Sequence, residues 1–242
     1  MKLNSILEIE EKSIISIVGA GGKTTLMYTL AKELKNENKV MVSTTTKIYC
    51  PSKEEVDFIA IGEEYNTIKN NKANGIYAYG KFINDENKLI GIEKEEASKY
   101  VDNFDYILIE ADGSKGKQIK GWNSTEPVIC NETNITIGVL SLGALGMKIN
   151  DENVHRLKEF QKLTNCKIGN DIGIEEFINI IFNENGLFKY SKGEKVLFLN
   201  KLDKVNEEDL RLLISEINKR NNKYINKIIV GSLKDKYYKI II

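Results

Sequence analysis

The densest chemistry in the chain lies in Gly19-Ala20-Gly21-Gly22-Lys23-Thr24, followed by Thr25. Glycines let backbone N–H groups approach phosphate oxygens without a Cβ in the way, and a helix starting there adds its positive dipole. In such a loop Lys23 reaches the β- and γ-phosphates and Thr24 places its hydroxyl on Mg²⁺. The residues Gly19 to Thr25 are therefore the expected phosphate-binding set. The fit is to the shorter pattern G-x-x-G-K-T, because Ile17 stands where the longer P-loop pattern has glycine.

Three further groups belong to the same chemistry. Glu110 and Asp112 follow the apolar run Tyr106 to Ile109, and side chains two apart share one side of a strand that persists. Asp112 is expected to hold Mg²⁺ with Thr24, and Glu110 to orient water, with the two roles exchangeable. Ser43-Thr44-Thr45-Thr46-Lys47 places hydroxyls at the carboxyl end of a strand, where ligands of open α/β sheets gather; any of the three threonines, Thr45 among the binding set, is open as a contact to the metal or the γ-phosphate. Asn200-Lys201-Leu202-Asp203 reads as N-K-x-D, in which the Asp carboxylate accepts from the guanine ring N–H and amino group while Asn and Lys support base and loop. Adenine offers no such donor pair, so GTP is favoured over ATP. Ile229 to Leu233 ends the last expected strand, where a second base-contacting loop fits.

These residues must be carried by a particular scaffold. Ile14 to Val18 reads as a buried parallel strand, and Leu26, Met27, Leu30, Ala31 and Leu34 recur at helical spacing. With Val40 to Val42 they form one βαβ unit. Further strands are expected at 57–61, 106–109, 135–140, 196–199 and 228–230, with helices at 93–101, 151–163, 174–182 and 207–220. Ile76 to Phe82 and Lys88 to Ile92 flank Asn84-Asp85-Glu86-Asn87 and read as a hairpin. The prediction is a single P-loop NTPase-like α/β domain over 1–242, a mainly parallel sheet with helices on both faces and a β-hairpin insertion at about 74–92.

Composition narrows the partners. Lys plus Arg and Asp plus Glu both number 35, leaving no excess positive charge for a nucleic-acid backbone or an anionic membrane. Apolar runs are far shorter than the roughly 20 residues of a bilayer span, and Met1 to Glu8 lacks the pattern of a cleaved leader, so a cytoplasmic location is expected. Cys50, Cys130 and Cys166 form no C-x-x-C pair, and His155 is the one histidine. Neither a disulfide framework nor a soft-metal store is indicated.

Taken together, Val18 to Thr25, Ser43 to Ile48, Ile109-Glu110-Ala111-Asp112-Gly113-Ser114, Glu126-Pro127-Val128-Ile129 and Val154-His155-Arg156 resemble the YqeC family. The resemblance runs from about Ile14 to Asp203, with the glycine loop and the E-A-D-G-S stretch most specific. It implies a nucleotide-dependent accessory protein in the maturation of a selenium-dependent molybdenum hydroxylase, which would be its protein client. Cys130 departs from the family pattern, standing where a second proline is expected. The motif order is also similar to metallocentre-assembly GTPases, but the His-rich tail and paired Cys of several of them are absent. Two other readings stay open on the residues alone: an ATP-dependent ligase or kinase with a Mur-type short loop, and a nucleotide-binding scaffold that never cleaves the γ-phosphate.

Overall fold

A computed structural model describes residues 2–241. Nine strands form one sheet: β1 (Ser13–Gly19), β2 (Lys39–Thr44), β3 (Phe58–Ile61), β4 (Gly75–Gly80), β5 (Tyr106–Glu110), β6 (Ile135–Ser141), β7 (Glu194–Asn200), β8 (Lys227–Ser232) and β9 (Tyr237–Ile240). Their order is β9-β8-β7-β6-β1-β5-β2-β4-β3. Every neighbouring pair is parallel except β8 with β9. The predicted α/β class with a mainly parallel sheet is what forms, an arrangement consistent with a P-loop NTPase-like fold.

Six helices pack on this sheet: α1 (Leu3–Leu7), α2 (Lys23–Leu34), α3 (Tyr65–Asn70), α4 (Leu157–Thr164), α5 (Ile174–Phe182) and α6 (Glu207–Arg220). All seven residues of β1 are buried, as a strand covered on both faces requires. Its side chains alternate: Ile15 and Ile17 join the α1 and α2 core, while Val18 joins the core of α4, α5 and α6 on the other face. Ile14 joins a third apolar cluster around Tyr77, Tyr79 and Phe104. Among the described residues, no helix is long and apolar enough to cross a membrane.

The structure departs from expectation in four places. Gly75–Gly80 is not a hairpin arm but β4, fully buried between β2 and β3. Only Phe82–Ile83 and Lys88–Ile90 pair as a hairpin, and Lys47–Tyr49 adds a third strand to make a small separate sheet. The helix expected over 93–101 is a 3₁₀ segment at Ala97–Asn103. The helix expected from 151 starts only at Leu157, because Val154–His155 pairs with Ile119–Lys120 and Arg156 takes a left-handed backbone (φ 57°). β9, α1 and α3 have no counterpart in the sequence reading.

The order places β1 between β5 and β6, so the loop after β1 opens at the carboxyl ends of three adjacent strands. In open α/β sheets this is where ligands bind.

Candidate functional site

The turn after β1 requires glycine for steric reasons. Gly19 has φ 103°, and a Cβ there would collide with the Val139 carbonyl of β6; Gly22 has φ 144°, and a Cβ would collide with the Asn200 amide. The loop is therefore wedged between the ends of β6 and β7. Its first two amides face inward: Gly19 N–H donates to both Asp112 carboxylate oxygens (3.1 and 3.0 Å) and Ala20 N–H to Val139 O (2.9 Å). From Gly21 to Thr25 the amides differ. Among the described residues no backbone or side-chain acceptor engages them. Five consecutive open N–H groups at a helix N-terminus make the anion-attracting part of the loop, two residues later than the sequence set beginning at Gly19.

Lys23 is 3% exposed, and its Nζ donates to Gly19 O (2.8 Å) and Ser114 Oγ (3.4 Å) while lying 3.6 Å from Glu110 and 3.4 Å from Asp112. Burial alone would pull this ammonium down; the two carboxylates more than offset it and hold it above its ordinary value. Thr24 Oγ1 donates to Glu110 Oε2 at 2.6 Å. Burial pushes Glu110 up, with Lys23 and Thr24 only partly opposing the shift.

Asp112 does not sit side by side with Glu110 as its spacing suggested. β5 ends at Glu110, so alternation stops and Asp112 turns beneath the loop. Fully buried, it accepts from Gly19 N–H, from Lys120 Nζ (3.0 Å) and from Trp122 Nε1 (2.8 Å). Burial works against its charge, but Lys120, Lys23 and the Gly19 amide outweigh that and hold its carboxyl below the ordinary carboxylate value. Asp112 does not line the cleft described below, whereas Glu110 does. In the threonine run, the Thr45 hydroxyl donates to Val128 O (2.5 Å), Thr44 donates to Glu110 O (2.7 Å), and Thr46 is the member that lines the cleft.

Around this centre lies a cleft of about 1420 Å³. Nine of its lining side chains are Lys or Arg and four are Asp or Glu, in a chain whose formal net charge is zero. Positive charge is thus concentrated where the open amides point, which attracts polyanions. The donor set also fits a hard cation. Among the described residues no cluster of three or more His, Cys, Asp or Glu forms a metal cage. The Thr24 hydroxyl and Glu110 carboxylate are the kind of pair with which Mg²⁺ is held alongside phosphate and water.

The N-K-x-D segment follows β7, with Lys201 in a left-handed conformation (φ 63°). Asn200 is a strut: its Nδ2 donates to Gly21 O (2.8 Å) and its Oδ1 accepts from Leu233 N–H (3.2 Å), tying the glycine loop to the loop after β8. Lys201 Nζ donates to Gln118 Oε1 (2.6 Å). Asp203 lines the cleft beside Ser232, whose hydroxyl lies 3.3 Å from it and 2.7 Å from Asp235.

Sequence reasoning missed Lys120, Trp122 and Gln118. Lys120, 0% exposed, bridges Asp112 and Glu126 at 3.0 Å each. Glu126 in turn binds Arg156 at 2.9 Å. A chain of alternating charges thus runs from the glycine loop to the cleft wall through Asp112, Lys120, Glu126 and Arg156. The pairing of Val154–His155 with Ile119–Lys120 brings Arg156 into it.

His155 sits beside this chain. Burial, with Lys120 and Arg156 nearby, pushes its pKa down to about 4. As His155 is the one histidine, its imidazole Hε1 resonance is unambiguous by NMR and is expected to titrate near 4 and not near 6.5. The linked stability is fully present above 6.5 and is lost as pH falls towards 4, because only the unfolded chain takes the proton in that window. A midpoint at the ordinary value would place His155 outside the cationic wall.

A family model described as "YqeC protein" matches residues 15–158. Over 180 residues the chain is 28% identical to the protein YqeC of Escherichia coli strain K12, itself described as uncharacterized, with 73% of this chain and 70% of that protein covered. No solved structure matches. The matched span takes in the glycine loop, Glu110 to Ser114, Lys120, Glu126 and Arg156, the whole charged chain built above. The chain belongs to the YqeC family.

Proposed function

We propose that this protein binds and hydrolyses a nucleoside triphosphate with Mg²⁺, GTP in preference to ATP, as an accessory factor in the maturation of a selenium-dependent molybdenum hydroxylase. The observation that carries the reading is the run of open amides from Gly21 to Thr25 with the Lys23 ammonium and the Thr24–Glu110 pair at its edge. The amides and Lys23 would hold the phosphate oxygens, Lys23 exchanging its present carbonyl and carboxylate partners for them. Thr24 and Glu110 would hold Mg²⁺, which when bound neutralises charge on the phosphate oxygens. Asp112 becomes a positioning residue, fixing the loop from below through Gly19. Arg156 is the arginine among the described lining residues, and its ties to Glu126 suit slow hydrolysis until a client frees it. The accessory role and client rest on family membership together with the expectation drawn from the motifs.

Calorimetric titration with GTP, ATP and CTP in the presence of Mg²⁺ tests the base assignment. Wild type is expected to favour GTP, and Asp203→Ala to lose that preference by about 10-fold or more, the worth of hydrogen bonds to a charged group (~1.5–3 kcal/mol). Retained guanine preference in the variant would remove Asp203 from the base site. Phosphate release by the isolated protein is expected to be slow and to rise with the client present.

A further inference from the structure

A cleft of about 1420 Å³ exceeds the roughly 300–1,000 Å³ that usually holds one small ligand. On the nucleotide reading, on which this inference rests, the triphosphate fills one arm, from Gly21–Thr25 to Asp203 and Ser232. The remaining lining, taken as the other arm, includes Thr46, the Lys47–Tyr49 strand, Lys88, Lys115 and Arg156. Its basic side chains are Lys47, Lys88, Lys115 and Arg156, against the acids Glu86 and Glu126.

This second arm has chemistry of its own. Tyr49 is 73% exposed on its rim, an unusual place for an aromatic side chain. Lys88 Nζ lies 5.2 Å from the centre of the Tyr49 ring, within cation–π range. Lys47 and Lys88 share a single carboxylate, Glu86, at 3.1 and 2.9 Å. Each ammonium carries three donors, so both keep donors to spare. Ile48 and Ile90 line the same arm. The small sheet bearing these groups is held against the end of β2: Ile92 N–H donates to Thr44 O (2.9 Å), and a Cβ on Gly91 would collide with that carbonyl. Its ring and ammonium groups are therefore fixed relative to the phosphate loop.

We propose that this arm binds a second ligand together with the nucleotide: a small organic anion that pairs a flat ring with a phosphate or similarly charged group. The ring stacks on Tyr49, and the charge is met by Lys47 and Lys88 from one side and by Lys115 and Arg156 from the other.

The probe is 1-naphthyl phosphate, titrated by fluorescence into the full chain saturated with Mg²⁺ and a non-hydrolysable GTP analogue. One site is expected, filled without release of the analogue. It is expected to weaken at least tenfold in Tyr49→Ala and in Lys88→Gln, with the affinity for the analogue unchanged in both. Absence of binding, displacement of the analogue, or affinity indifferent to both substitutions would overturn the proposal. Should the chain take up no nucleotide, the same titration on the free protein still decides: naphthyl phosphate binding that depends on Tyr49 keeps the second-ligand site and removes the nucleotide reading alone.

Discussion

Replacing Lys23 by alanine is expected to lower triphosphate affinity at least 100-fold and to bring phosphate release below detection. Lys23 is the one fully charged donor within the loop itself, and losing charge-assisted hydrogen bonds to two phosphate groups removes about 3 kcal/mol or more. The fold is expected to survive. Asp112 keeps Lys120, the Gly19 amide and the Trp122 indole as partners. Glu110, already pushed up by burial, can take a proton in place of its lost neighbour. Calorimetric titration with GTP, read beside a urea melt, separates the two effects. Unchanged triphosphate affinity in a folded Lys23→Ala protein would remove the phosphate-binding reading and with it the roles of Thr24 and Glu110.

That site was largely legible in the sequence because its parts are local. A β-branched strand, a glycine turn and a helix with apolar residues three and four apart announce one another within about twenty residues, and the backbone geometry follows. What distance along the chain brings together was not legible. Glu110 and Asp112 look equivalent as neighbours two apart, but the strand ends between them, so one faces the cleft and the other lies under the loop. Thr44, Thr45 and Thr46 are indistinguishable by residue type; the Glu110 carbonyl at the end of β5 takes the Thr44 hydroxyl and the Val128 carbonyl in the following loop takes that of Thr45, which leaves Thr46, bonded only to Thr44 Oγ1 (3.1 Å), at the cleft. Lys120 has no local mark at all, and only its pairing opposite His155 shows that it is the buried hub of the charged chain. Gly75–Gly80 was misread for the opposite reason: its polar turn nearby suggested a hairpin, while its continuous burial belongs to a parallel strand inside the sheet.

The other large effect is expected at that hub and is one of stability. In Asp112→Ala, Lys120 stays fully buried with Glu126 as its remaining carboxylate, while the Gly19 amide and the Trp122 indole lose their acceptor. Removing one partner of a buried, hydrogen-bonded ion pair destabilises by about 3–5 kcal/mol, because the other charge is left in a poorly solvating interior. Asp112→Asn is expected to lose less, since one oxygen still accepts, but its NH₂ group must then face Lys120 or the Gly19 amide, donor against donor. The pH dependence has a fixed sign. Asp112 titrates below its ordinary 3.8, so its contribution is present above that value and disappears as pH falls through the folded-state value. Urea unfolding at neutral pH and again near pH 3 is therefore expected to show a gap between wild type and Asp112→Ala that narrows in acid. A gap under about 1 kcal/mol at neutral pH would mean that Glu126 and the Gly113 carbonyl together satisfy Lys120, and the glycine loop would then owe its shape to β6 and Asn200 and not to the carboxylate beneath it.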